Sequence, residues 1–173
     1  MALEVKCVSH ALRGELSRFA KRGGTAVTGA FPMNVDGKFR ITFPSSFRKE
    51  VDKQIKLVPV QGCVYGFTPE GFDSWVDGLF EYGDHHFDPR NRDDDRLRRV
   101  LNASAVDVDL DSANRIALGK LDVAKAGKRA ALGLEGEVMV IGNGDHFEVW
   151  NAETWRKEQA ALESDLDSLL FRS

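Results

Sequence analysis

A short pattern that occurs twice constrains this chain more than any other feature. Val35-Asp36-Gly37-Lys38-Phe39-Arg40-Ile41-Thr42-Phe43 is echoed by Leu110-Asp111-Ser112-Ala113-Asn114-Arg115-Ile116-Ala117-Leu118. In each copy an apolar residue leads into Asp, three turn-prone positions follow, and Arg opens an apolar alternation. A second echo lies downstream: Val64-Tyr65-Gly66-Phe67 with Thr68 and Phe72 is matched by Phe147-Glu148-Val149-Trp150 with Asn151 and Trp155. The first echo is offset by 75 positions and the second by 83. Self-similarity in a fixed order marks one structural unit built twice, so the sequence predicts a tandem duplication with an Asp-x-x-x-Arg hairpin in each half.

At 173 residues the chain can bury a proper core as one domain or two small ones. No apolar run approaches the roughly 20 residues of a membrane helix, and no secretory leader is evident at the N-terminus. Cys7 and Cys63 are too few and too scattered for a disulfide framework or a zinc site, so a cytoplasmic protein with reduced thiols is expected. The net charge of -3 argues mildly against a nucleic-acid partner, but its distribution does not. Residues 26–58 carry six Lys/Arg against three Asp/Glu, and residues 110–133 carry five against two. Such basic faces on an acidic chain suit local phosphate binding, although a modest basic excess is more often a solvated face.

In residues 1–25 Arg13, Arg18, Lys21 and Arg22 interleave with Leu12, Leu16 and Phe19, a pattern open to a short basic amphipathic helix touching DNA but read in preference as a flexible N-terminal extension. Residues 26–82 form the expected first repeat: strands near 29–35 and 39–43, a two-turn helix opened by Pro44, and strands 55–60 and 63–67 about a tight turn at Gln61-Gly62. A helix follows, with Thr68 as N-cap, Pro69 in its first turn and Phe72, Trp75, Val76 and Leu79 as its apolar stripe. Residues 83–101 read as a polar loop and a charged helix joining the halves. Residues 102–173 repeat the order: strands 103–110 and 115–118, a helix near 120–126, and a loop rich in Gly and Lys. Strands 137–141 and 146–150 come next, and a long helix from Ala152 carries Trp155, Leu162, Leu166, Leu169 and Leu170 on one face. That stripe covers either the chain's own core or another subunit.

In each predicted hairpin the Asp closes one strand and the Arg opens the next, so a short turn brings both to the tip. The Asp can bond turn amides or hold the guanidinium in place, leaving Arg donors for a phosphate or a guanine edge. The bland alternative is an exposed ion pair worth about 0.2–1 kcal/mol. Recurrence in register favours the functional reading. Asp84, His85, His86 and Asp88 lack ligand-gathering spacing and read as a solvated loop. Asp93-Asp94-Asp95 suits the first turn of a helix, where acids meet the positive end of its dipole. Cys63 reads as a core thiol. No nucleophile elbow, phosphate loop or dinucleotide fingerprint is present, so neither an enzyme nor a cofactor or metal site is expected.

With these residues in hand the chain resembles the MraZ family of bacterial transcriptional regulators. The likeness runs from about Val27 to Trp155. It is carried by the two Asp-x-x-x-Arg segments, by Pro44 to Arg48, and by Glu137-Val138-Met139-Val140-Ile141-Gly142 followed by Phe147-Glu148-Val149-Trp150 and Trp155. The resemblance implies an α+β fold, a duplicated AbrB-like swapped-hairpin β-barrel with flanking helices and two pseudo-repeats in one chain. It implies a homo-oligomeric ring, cytoplasmic and nucleoid-associated, that binds short direct repeats in double-stranded promoter DNA and represses its own division and cell-wall gene cluster. No membrane or small-molecule partner is implied. By position, Arg40 and Arg115 are the expected DNA-contacting residues, Lys38 assists at phosphates, and Asp36 and Asp111 shape the hairpins. Where the family has Gly before the motif Arg, this chain has Phe39 and Asn114, so a different turn geometry is expected, above all at Phe39. Lys38 has no counterpart at Ala113, and Gly119 stands where the family has Pro. The rival reading is an oligomeric interaction module that keeps the barrel without specific DNA binding.

Overall fold

The computed structural model describes residues 27–51, 53–60, 62–81 and 84–171. The N-terminal extension expected over residues 1–25, Cys7 within it, and Gln61 of the expected tight turn lie outside the described residues. The chain alternates strands and short helices: β1 (Val27–Asn34), β2 (Arg40–Thr42), β3 (Gln54–Val60), β4 (Cys63–Phe67) and helix α1 (Pro69–Gly78) come first. Helix α2 (Arg92–Ser104) leads to β5 (Val106–Asp109), β6 (Arg115–Ala117) and two short helices, α3 (Lys120–Ala124) and α4 (Lys128–Ala131). β7 (Glu137–Gly144), β8 (Phe147–Asn151) and the long α5 (Ala152–Leu170) complete it.

Six strands pair antiparallel in the order β1-β7-β8-β4-β3-β5, and β2 pairs with β6 apart from them. The larger sheet is open, with β1 and β5 at its edges, so no closed barrel forms through strand pairing among the described residues. The registers repeat the two offsets of the sequence. Asn34 pairs with Glu137, and moving these by the two offsets gives Asp109 with Gln54, which also pair. Two pairs map onto themselves: Ile41 with Ile116 in the small sheet, and Tyr65 with Glu148 at the centre of the large one. The first strand of each half therefore pairs with the third strand of the other half. β1 lies so close on β7 that a side chain at Gly142 would meet the Thr28 amide nitrogen at 2.5 Å.

Apolar alternation builds the core that this pairing needs. Ile41 and Ile116 are fully buried with Ile55, Leu57, Val64, Val138, Val140 and Val149. Phe43 packs edge-on against Phe47 and Phe147 in the same cluster. A second cluster on α1 gathers Phe67, Phe72, Val76 and Phe80. Thr68 caps α1 through its Oγ1, which accepts from the Gly71 amide, and Pro69 occupies the first turn. Of the expected α1 stripe Phe72 and Val76 are buried, whereas Leu79 is exposed. Cys63 is buried as expected, and burial together with the Glu148 charge pushes its thiol up to about 12.

Three expectations are corrected. The helix after Pro44 is a run of turns over residues 45–50: the Phe47 carbonyl accepts from both Glu50 and Val51, and Phe47 itself is drawn into the core. Helix α2 runs on to Ser104, which shortens the following strand to Val106–Asp109. The loop rich in Gly and Lys contains α4.

Candidate nucleic-acid interface

The two Asp-x-x-x-Arg segments are turns rather than the expected paired hairpins, because the flanking strands pair elsewhere, β1 with β7, β5 with β3 and β2 with β6. Each still places Asp and Arg at a three-residue tip with the same bonds. At the first, the Asp36 carbonyl accepts from the Phe39 amide at 2.9 Å, and the Asp36 amide donates to the Arg40 carbonyl at 2.9 Å. At the second, Asp111 does the same with Asn114 at 2.8 Å and Arg115 at 3.1 Å. This is a turn closed by a left-handed residue, the form that three-residue hairpin loops favour. Phe39 and Asn114 both have φ of 56°, so the two tips share one left-handed turn, and Phe39 adopts the positive φ that its side chain disfavours.

Each carboxylate organises its whole tip. Asp36 Oδ1 accepts from the amides of Lys38 at 2.8 Å and Arg40 at 3.0 Å. Its Oδ2 accepts from Arg40 Nε at 2.9 Å and lies 2.7 Å from Nη2. Asp111 repeats every contact: Ala113 at 2.8 Å, Arg115 amide at 3.0 Å, Nε at 2.8 Å and Nη2 at 2.7 Å. The two roles that the sequence left as alternatives are thus filled together. Arg40 Nη1 also reaches Asp111 Oδ2 at 3.6 Å, linking the tips across the β2–β6 pair. One edge of each guanidinium is fixed by its Asp, and a guanidinium has further donors with which to meet an acceptor. The side-chain bond from Arg40 and the Arg40 amide hold the Asp36 carboxyl down at about 2. For Asp111, desolvation opposes ionisation, but bonds from the Arg115 amide and guanidinium prevail and lower its pKa. Lys38 is exposed beside the first tip.

The tips differ in what supports them. A left-handed residue with a side chain costs about 1–2 kcal/mol, which Asn bears more easily than Phe. The Phe39 ring lies 3.8 Å from the guanidinium carbon of Arg129. Arg129 is only 4% exposed, and its Nε meets Asp122 Oδ2 at 2.5 Å while Nη1 meets Glu135 Oε1 and the Leu134 carbonyl at 3.1 Å. A cation–π contact of about 0.5–2 kcal/mol offsets a strain of that size. The Gly119 amide also donates to the Phe39 carbonyl at 3.3 Å, a bond that Pro could not make. Sequence reasoning missed Arg129 and Asp122, because nothing local ties them to Phe39. Beside the second tip, Arg48 and Lys53 line a cleft of about 610 Å³ with Leu110, Asp111, Ser112 and Asn114. Arg48 lay within the segment that carried the resemblance, but no role pointed to it.

The other candidate clusters are explained locally. His86 Nδ1 lies 2.7 Å from Glu81, and His85 Nε2 lies 3.2 Å from Asp94. Asp93, Asp94 and Asp95 sit in the first turn of α2, capped by Asn91, and Asp94 Oδ2 accepts from the Asp88 amide. No helix among the described residues is long and apolar enough to cross a membrane.

The family model described as MraZ protein, antitoxin-like, matches residues 101–168. A transcriptional regulator MraZ from Burkholderia mallei (strain SAVP1) is 35% identical over 151 residues, covering 82% of this chain and 94% of that protein. The protein of the same name from Burkholderia pseudomallei (strain 668) gives the same figures, and that from Burkholderia cenocepacia (strain HI2424) is 34% identical over the same lengths.

Proposed function

The chain belongs to the MraZ family and is a transcriptional regulator rather than an enzyme; from that premise we propose that it reads double-stranded promoter DNA through its two Asp–Arg tips. The observation that carries the reading is the matching geometry of the tips: the same carboxylate bonds, the same left-handed conformation before the Arg and a direct link between them. Mere surface ion pairs give no reason for both halves to keep one geometry. Arg40 and Arg115 would meet base edges or phosphates, Lys38 would add a phosphate contact, and Asp36 and Asp111 would hold the guanidinia ready. We read the exchanged strand pairing as a duplicated AbrB-like swapped-hairpin arrangement, with repeats at 26–82 and 102–173 joined by 83–101. The matching registers support that reading.

The site would act on short direct repeats upstream of the protein's own division and cell-wall gene cluster, as a repressor, in the cytoplasm and at the nucleoid. Several copies in a ring would engage successive repeats, so that weak individual contacts add through effective concentration. An apolar stripe of Leu162, Leu166, Leu169 and Leu170 left exposed on α5 supports self-association. The rival scaffold reading leans on Phe39 in place of Gly and on the acidic balance of the chain; Phe39 nevertheless takes the same left-handed conformation as Asn114 at the other tip.

Arginine truncation tests the proposal. Arg40→Ala and Arg115→Ala should each weaken binding to a fragment from upstream of the gene by about 1–3 kcal/mol per site. An equal fall on scrambled DNA would assign the residue to phosphate, and unchanged binding in both variants would sink the reading.

A further inference from the structure

We infer that Phe39 is a specificity-determining residue of the first tip, which offers its ring edge to a thymine methyl group beside the site of Arg40. This rests on the DNA-binding reading above and adds to it a base preference that only one of the two tips holds.

The ring is not there for the turn. The second tip makes the same turn with Asn114, and a left-handed residue favours Gly or Asn over Phe. Nor is the ring there for the core: Phe39 is 42% exposed and belongs to neither buried cluster. The ring is nevertheless held firmly. Arg129 covers it at 3.8 Å, and Arg129 is itself locked by Asp122, Glu135 and the Leu134 carbonyl. The chain thus spends backbone strain and a buried guanidinium to fix an exposed apolar group between Lys38 and Arg40.

The chemistry of DNA narrows what such a group can meet. Phosphates and most base edges are polar, and the C5 methyl of thymine is the apolar feature of the major groove. Side-chain wedges instead insert between base steps, using the ring face to unstack them. Arg129 already occupies a face of Phe39, which disfavours insertion and leaves the edge available. At the second tip Asn114 presents an amide at the same position, so the two tips would prefer different bases.

The test uses the full chain and a fragment from upstream of its gene, prepared once with thymine and once with uracil throughout. Wild-type protein should bind the uracil fragment about 3- to 10-fold more weakly, the scale of a buried methyl group. Phe39→Gly, which keeps the left-handed turn accessible, should bind both fragments equally. Its circular dichroism and oligomer mass should match wild type. A thymine-to-uracil ratio that is unchanged in Phe39→Gly, or absent in wild type, overturns the inference. Lower affinity of Phe39→Gly with no thymine preference in either protein would assign the ring to a wedge or a support instead. Arg40→Ala separates the two levels: if it abolishes binding while the uracil ratio ignores Phe39, the inference alone fails. If wild type does not distinguish the fragment from scrambled DNA and Arg40→Ala changes nothing, the DNA reading fails and takes the inference with it.

Discussion

At the two tips a single carboxylate does what usually takes several groups, tying down turn amides with one oxygen and a guanidinium with the other. The consequence for pH follows from the sign of the shift. Asp36 has its folded pKa lowered to about 2, chiefly by the bonds from Arg40. A group depressed in the folded state contributes fully above its ordinary carboxylate value and loses that contribution as pH falls through the folded one. The tip should therefore be insensitive to pH between 5 and 8 and open only in strong acid. A carboxyl-detected NMR titration should give Asp36 a midpoint near 2, and a midpoint in the ordinary carboxylate range would show that the clamp is not formed in solution. The Asp–Arg pairs were legible in the sequence because their partners lie four positions apart. The support of Phe39 was not: Arg129 approaches from the other half of the chain, and no local pattern announces it.

Among the elements, α5 is divided. Its first turn is anchored: Asn151 Oδ1 accepts from the amides of Glu153 and Thr154, Trp155 lies 5.8 Å from Trp150, and Arg156 reaches Glu137 at 3.0 Å. From Arg156 onward every described residue of the helix is exposed, including Leu162 at 49% and Leu166 at 50%. The stripe spacing was readable; Trp155 packs on Trp150, whereas no other described residue buries Leu162, Leu166, Leu169 or Leu170. If this face joins copies, Leu166→Asp should reduce the oligomer mass in light scattering. The monomer fold should change by no more than about 0.5 kcal/mol, as for other exposed positions. An unchanged mass would place the seam elsewhere. The segment after Pro44 shows the limit of local reading. Pro44 suits a helix start, but Phe47 is claimed by Phe31 and Phe43, and its carbonyl closes the turn onto Glu50 and Val51. Core packing outweighed a helix too short to sustain itself.

Across the molecule, the paired offsets of the sequence reappear as paired registers. Ile41 with Ile116 and Tyr65 with Glu148 are the two pairs that map onto themselves. The repetition itself was visible in the residues, but the exchange of strands between halves was not, because strand alternation says which face is buried and not which strand lies alongside. The exchange brings the two tips next to each other, so that one chain presents two arginines together. That pairing underlies the central claim, that a transcriptional regulator of net charge -3 reads DNA through two local basic points. Fluorescence anisotropy of the full chain tests it most directly, against a fragment from upstream of its own gene and a scrambled fragment, at two salt concentrations. The account predicts tighter binding to the native fragment at both, with affinity falling steeply as salt rises because phosphate contacts release counterions. Equal binding to the two fragments, or binding that ignores salt, would contradict it.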